Sequence, residues 1–304
     1  MEISEIYQLK SCVQNIKFNI QHDIVLLTFD DGYVAQSINL MLSLIKNHSS
    51  NLSFVCACLA LSQQNVEKLL KFDFGVRICT YEMIKYINVG RWSPNSLLRV
   101  FSPWLIEDIN KILYIDSDVL CTGNIQDLFD LDVNYIAMSN EISGNVSESR
   151  EATYRKICPT HIYCNAGVTL INTERIRQEF PLQEIYDSCR YICENYPYID
   201  QDFLNVFFVD KIQYINGFRY NFQAYELLGS VMYKKTLKQS RLIHFSCGKP
   251  WNCNTDRRII KLYLDCSEYD EMKVIIKKVL FKNSYVRHFN KIKKAMDKIR
   301  TYLG

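Results

Sequence analysis

Short apolar runs, each handing over to a stretch of helical spacing, constrain this chain more than any other feature of its sequence. Asp23 to Phe29 (DIVLLTF) is nearly continuous in apolar residues and too short for a buried helix, which predicts a strand covered on both faces. Val34 to Ile45 follows with apolar residues at helical spacing, and the pattern then repeats. Leu52 to Ala60 reads as a strand, Ser62 as the cap of a helix through Phe72, and Val76 to Cys79 as a third strand. Leu97 to Ile106 reads as helical in spite of Pro103, and Lys111 to Ile115 (KILYI) as a buried strand running into Asp116. Later strands are expected at Tyr135 to Met138, Val168 to Asn172, Ile212 to Ile215 and Leu242 to Phe245, with helices at Leu182 to Tyr196 and Gln201 to Phe208. Such alternation belongs to the α/β class, with a mixed, mostly parallel sheet.

No internal repeat, low-complexity tract or Gly/Pro linker interrupts the chain before about residue 255. The expected organisation is an N-terminal extension (1–22), one α/β domain (23–255) and a helical tail (256–304). The tail differs in kind. Residues 272–304 carry ten Lys or Arg against the single acid Asp297, within a chain whose net charge is only +3. Tyr285, Phe289, Ile292, Met296, Ile299 and Leu303 recur at spacings of three and four, with Lys291, Lys293, Lys294, Lys298 and Arg300 on other faces. This makes a basic amphipathic helix, which either packs on its own domain or docks on an anionic membrane surface. No base-reading module accompanies the charge, so nucleic acid is not an expected partner.

With 48% hydrophobic residues the chain is not a disordered one. No run approaches the roughly 18 apolar residues of a membrane span, and the opening MEISEIYQLK lacks the basic start and apolar stretch of a secretory signal. The expected location is the cytoplasm, with peripheral contact at the inner face of the cell membrane where the tail docks rather than packs. The twelve cysteines lie among apolar neighbours, and the close pairs Cys56/Cys58 and Cys189/Cys193 lack Cys-x-x-Cys spacing, so reduced thiols without a structural zinc are expected.

Asp116-Ser117-Asp118 closes the strand KILYI. Side chains two apart on an extended chain point the same way, so both carboxylates can face one divalent cation where parallel strands end; the alternative is a polar turn. Asp30 and Asp31 stand at the end of the first strand, in TFDDGY. That string is similar to the metal-binding start of polysaccharide deacetylases, but those enzymes need two histidines four apart, and His22, His48, His161, His244 and His288 offer no such pair. A turn at Gly32 is the other reading. His244 ends an apolar strand just ahead of Gly248-Lys249; an imidazole added to carboxylates suits Mn2+, and Lys249 can neutralise a phosphate. Asn165-Ala166-Gly167 and Asp200-Gln201-Asp202 are unusually polar for their apolar settings, although acids at a helix N-terminus also serve as caps, and at least one of these is expected to do only that.

Taken in order, TFDDGY, LLRVFSPWL, LYIDSDVL, YCNAGVTLIN, DQDFLN and HFSCGKPW resemble the motif series of glycosyltransferase family 8 over roughly residues 22 to 255. The resemblance is to bacterial galactosyl- and glucosyltransferases that build lipopolysaccharide-type surface glycans. It implies a GT-A fold, a single Rossmann-like domain, that uses a UDP-hexose with Mn2+ (Mg2+ being the other candidate) and retains anomeric configuration. Position by position, it assigns Asp116, Asp118 and His244 to the metal. Thr28, Asp30 and Tyr33 match positions that hold the uridine, with Tyr33 stacking on the base. Lys249, with Gly248 beside it, matches a diphosphate contact, and Arg99, Ser117, Asn165 and Ala166 match positions around the donor sugar and ribose. Gln201 matches the position beneath the anomeric carbon, Asp200 holds sugar hydroxyls, and Glu141 falls near a carboxylate facing the sugar.

An amide is a poor nucleophile, so the implied mechanism is attack from the face of departure, with Gln201 stabilising positive charge and Glu141 as the fallback nucleophile. Two positions depart from the family pattern. Cys247 stands near an expected glycine, with Lys249 one residue closer to His244 than usual, and Gly32 replaces a polar nucleotide contact. The functional expectation is galactosyl or glucosyl transfer to a glycan or glycolipid acceptor. A catalytically silent UDP-sugar-binding subunit is the alternative from another class, and a polysaccharide deacetylase the enzymatic one.

Overall fold

The computed structural model describes residues 1–140, 155–156, 162–229, 236–252 and 254–281. The run expected at 23–29 is strand β2 (Asp23–Thr28), which follows the edge strand β1 (Tyr7–Gln14). Next come α1 (Val34–Asn47), β3 (Leu52–Cys58), α2 (Gln63–Leu70), β4 (Gly75–Met83), α3 (Leu97–Leu105), β5 (Lys111–Ile115), β6 (Val119–Cys121) and α4 (Gln126–Phe129). The second half supplies β7 (Ile136–Asn140), β8 (Cys164–Asn172), α5 (Thr173–Glu179), α6 (Leu182–Asn195), α7 (Ile199–Phe207) and β9 (Ile212–Ile215). It ends with α8 (Gly217–Tyr220), β10 (Phe222–Gln223), β11 (Leu242–His244), α9 (Arg257–Cys266) and a further helix over 270–281.

Eight strands form one sheet in the order β1-β4-β3-β2-β5-β8-β7-β9, and β10-β11-β6 form a second. In the large sheet the pairings β4-β3, β3-β2, β2-β5 and β7-β9 are parallel, while β1-β4, β5-β8 and β8-β7 are antiparallel, so the sheet is mixed and parallel-rich. The two-residue period of a strand divides its side chains between two cores. Ile24 and Leu26 join Leu98 and Phe101 of α3, Ile185 of α6 and Phe203 of α7 on one face; Val25 and Leu27 join Ile38 and Leu44 of α1 on the other. Helices on both faces explain why the central strands read as unbroken apolar runs.

Three findings go beyond the sequence reading. Within residues 1–22, Tyr7–Gln14 adds an antiparallel edge strand whose one buried residue is Tyr7, so its sequence carries no buried stripe to betray it. Strand β8 starts at Cys164, four residues earlier than expected, because a register shift between Met138 and Ser139 lets pairing continue past the irregularity. Within residues 256–304, Ile259, Ile260 and Tyr263 of α9, with Met272 and Ile276 beyond it, pack against Phe222, Ile243 and Phe245 of the small sheet. The first turns of the expected tail therefore cover the domain's own core. Tyr285 to Leu303, on which the amphipathic reading rests, lie outside the described residues, as does Glu141. No described helix is long and apolar enough to cross a membrane. The ten described cysteines are free thiols.

Candidate active site

Strand β8 runs antiparallel to β5, so its start lies beside the end of β5, and the Asp116 amide donates to the Gly167 carbonyl at 2.8 Å. The chain turns after Asp116 and returns as β6, whose Val119 pairs with His244 of β11. Two carboxylates and one imidazole thereby meet from two sheets. His244 Nε2 stands 3.2 Å from Asp118 Oδ1 and 3.7 Å from Asp116 Oδ2, and one ligand atom from each residue fits within 4.8 Å of the others. With its Nδ1 proton donated to Asn221 Oδ1 at 2.9 Å, the ring turns the Nε2 lone pair toward the carboxylates, the tautomer a metal ligand needs. Asn221 is fixed in turn by donating to Ser139 Oγ and Asn165 Oδ1, each at 2.9 Å.

Only glycine fits at position 167. A Cβ there would lie 2.2 Å from His244 Cε1 and 2.9 Å from Asp116 Oδ2, so the missing side chain is what lets the histidine close on the first aspartate.

Buried charge is balanced around this cluster. Burial opposes ionisation of Asp118, but the Lys249 ammonium and His244 outweigh it and hold its carboxyl well below the usual carboxylate range. Burial likewise opposes the Lys249 charge, and contact with Asp118 outweighs it, raising the amine above its ordinary value. On the other side Arg99 pairs with Asp200, donates to the Ala166 carbonyl, and reaches within 3.6 Å of Asp116 Oδ1. Its guanidinium lies 4.2 Å from the centre of the Tyr114 ring, whose hydroxyl donates to Asp116 Oδ1 at 2.6 Å. Pro103 contributes locally. It has no N–H for the Arg99 carbonyl four residues back, and Ser102 Oγ donates there instead at 2.8 Å.

The start of α7 is stapled to the start of β8. Gln201 Oε1 accepts from the Ala166 amide at 3.2 Å, and Asn205 exchanges hydrogen bonds with both backbone groups of Cys164. Asp202, fully buried, accepts from the Tyr198 amide at 2.7 Å and from Tyr163, so this acid is the one that serves as a cap. Asp200 is not: it faces the cleft. Ile199 just before it has φ +32°, a β-branched residue in the left-handed region held by the surrounding contacts.

The cluster opens into a cleft of 470 Å3. Of the residues expected from sequence, Thr28, Asp30, Tyr33, Arg99, Asp116, Ser117, Asp118, Asn165, Asp200, Gln201, His244 and Lys249 line it. Ala166 and Gly248 do not. Ala166 is buried in the core and offers its carbonyl to Arg99, and Gly248 faces Ile259 and Thr255. Asp31 turns away toward Ser62 and Asn65, which separates it from Asp30 and leaves no deacetylase-type pair. The sequence reading missed Trp92, Tyr198 and Ser246 in the cleft wall, and Asn221 and Gln223 behind His244. Trp92 Nε1 donates to the Pro197 carbonyl at 2.8 Å, a contact across 105 residues that no local pattern encodes.

Comparison with known proteins places this architecture. LgtC, solved as a galactosyltransferase in complex with donor and acceptor sugar analogues, superposes with a TM-score of 0.62 at 22% identity, over 84% of this chain and 95% of that one. The mixed α/β fold is thus of the GT-A type. Glycosyltransferase GlyE of Streptococcus pneumoniae is 27% identical over 81% of this chain, which spans 61% of that protein's length. The lipopolysaccharide 1,3-galactosyltransferase of Salmonella typhimurium is 26% identical over 62% of this chain and 60% of its own length. The model of glycosyl transferase family 8 matches residues 24–255, and the chain belongs to that family.

Proposed function

We propose that the chain transfers galactose or glucose from a UDP-hexose to a glycan acceptor of a surface or lipid-linked saccharide, with retention of configuration. The observation that carries this reading is the meeting of Asp116, Asp118 and His244 within 4.8 Å, beside Lys249, at the strand ends of an open cleft. The donor set fits a divalent cation of the Mn2+ kind: two carboxylates and one imidazole of fixed tautomer, brought close by Gly167. When bound there, the ion would supply Lewis-acid stabilisation of the diphosphate leaving group.

The remaining work belongs to side chains. Tyr33, half-buried and edge-on to Trp251 at 5.9 Å, offers a ring face for the base, and Asp30 and Thr28 offer oxygens for uridine and ribose. Lys249 neutralises phosphate charge once it leaves Asp118. Arg99 fixes Asp200 in the cleft wall, and on this reading its carboxylate orients hydroxyl groups of the donor sugar. Gln201 is pinned through Oε1 by the Ala166 amide and through Nε2 by the Tyr163 hydroxyl at 3.2 Å, which suits a dipole that stabilises positive charge at the anomeric carbon more than a nucleophile. The acceptor then enters on the face from which UDP departs.

Release of UDP from a panel of UDP-sugars, with and without Mn2+, tests the reading. Metal-dependent turnover of one hexose donor, lost in Asp118→Asn with the fold intact by circular dichroism, is the expected result. Metal-dependent UDP binding without turnover of any donor, with glycan acceptors present, would favour a silent sugar-nucleotide subunit. Absence of both binding and turnover would overturn the UDP-sugar assignment.

A further inference from the structure

Far from the cleft, Cys12 of β1 and Cys79 of β4 face each other across the edge of the large sheet. They are direct partners in the antiparallel register, and their sulfur atoms stand 2.8 Å apart. A disulfide needs about 2.05 Å between sulfurs and about 3.5–4.5 Å between Cβ atoms, slightly less than the usual separation of facing antiparallel residues, so a small approach of the two strands closes the bond. Cys12 is exposed, whereas Cys79 is buried at 3%. The other described thiols lack this arrangement. Cys189 and Cys193 are 4.0 Å apart but buried one turn apart on a single helix, and Cys56, Cys58, Cys121 and Cys164 are buried. Cys247 is exposed in the cleft wall, away from this edge, and Cys266 is half-buried at the end of α9.

The geometry points to an oxidant-sensitive dithiol at Cys12 and Cys79, which closes a cross-strand disulfide on reaction with a small peroxide. The exposed Cys12 thiolate attacks one oxygen of hydrogen peroxide; the O–O bond breaks, and the departing hydroxide takes a proton to become water. The resulting Cys12 sulfenic acid meets the Cys79 sulfur, which forms the S–S bond as the S–O bond breaks, and the second hydroxide leaves as water with the Cys79 proton. Two thiols lose two electrons in all, and one peroxide becomes two waters. Burial first, then the contact with Cys12, push the Cys79 thiol well above its ordinary value, which assigns the attack to Cys12 and the resolving step to Cys79. Closure welds the first strand to the sheet across 67 residues of chain. Tyr7 of that strand packs on Phe101 of α3, the helix that carries Arg99, so the welded edge adjoins the support of the cleft.

The test treats the native full-length protein with hydrogen peroxide in small excess, blocks remaining thiols in denaturant, and digests with trypsin without reductant. The expected result is a fall from twelve titratable thiols to ten, with peptide 11–17 joined to peptide 78–85 and separated again by dithiothreitol. Cys12→Ser should lose the linked peptide and leave Cys79 reduced. Two results would overturn the assignment: Cys12 and Cys79 remaining unlinked while other cysteines oxidise, or the same pair forming with no preference over other pairs in native protein.

Discussion

Exchanging Lys249 for methionine separates the cost of the buried cluster from its capacity for a cation. The ammonium contacts Asp118, whose side chain is 5% exposed, while that of Lys249 is 27% exposed. Removing one partner of a buried ion pair costs roughly 3–5 kcal/mol, and since water reaches the lysine end the expectation here is about 2–3 kcal/mol. For a domain of this size that lowers the thermal midpoint by roughly 4–6 °C. The pH dependence follows from the direction of the shift. A carboxyl with a depressed folded-state pKa contributes stability above its unfolded value, near 3.9, and loses it as pH falls through the folded value. Both proteins should hold the contribution above about pH 4 and lose it as pH falls further, wild type having more to lose and losing it down to a lower pH than Asp118 without its strongest cationic partner. Mn2+ narrows the difference. In wild type the ion must displace the ammonium from Asp118, and in the variant it meets no such competitor. If displacement costs about 2 kcal/mol, the variant binds Mn2+ alone roughly 30-fold more tightly. At a hundred times its dissociation constant the ion returns about 2.7 kcal/mol. Near-UV circular dichroism melts between about pH 2 and 8, with and without Mn2+ and in the absence of UDP, read all three effects. Equal midpoints for the two proteins at neutral pH, or equal Mn2+ shifts in both, would refute the reasoning.

Three further changes probe the same cluster. Gly167→Ala forces His244 off Asp116 and should cost about 1–3 kcal/mol in urea unfolding together with loss of Mn2+ binding; retained metal affinity would contradict the close approach. Asn221→Leu removes the acceptor that orients His244 and should weaken Mn2+ by roughly 10–100-fold in a titration, with unchanged affinity counting against the assigned tautomer. Arg99→Met leaves Asp200 and Asp116 without a shared cation; a loss of about 3 kcal/mol and of donor turnover is expected, and a fully stable variant would show that the pair contributes nothing net.

What the sequence made legible was local. KILYI followed by Asp-Ser-Asp encodes strand, turn and paired carboxylates within eight residues, and HFSCGKPW delivers the histidine and lysine of the same site. The helix at Leu97 survives Pro103 because its neighbour Ser102 repairs the missing bond. What was not legible depends on contacts distant in sequence. Arg99 and Asp200 are 101 residues apart, and the acids of the DQD motif look alike until one is seen to pair with that arginine and the other to cap its own helix. The edge strand Tyr7–Gln14 pairs through its backbone, and backbone pairing leaves no mark on side-chain pattern when the strand is exposed. Gly248 and Ala166, assigned by motif position, lie outside the cleft wall, Ala166 offering its carbonyl to Arg99 and Gly248 facing Ile259 and Thr255.

The three groups of the cluster do not belong to one sheet. Asp116 follows β5 of the large sheet, whereas Asp118 and His244 flank the pairing of β6 with β11 in the small one. An ion shared among them is a fastener between two bodies, and its affinity becomes a gauge of how firmly the small sheet is seated on the large. Amides of β10 and β11 should exchange with deuterium through local unseating in metal-free protein and slow markedly once Mn2+ is added, while those of β2 and β3 keep the pace of global unfolding. Loosening at that seam would then dim the site long before the fold itself gives way.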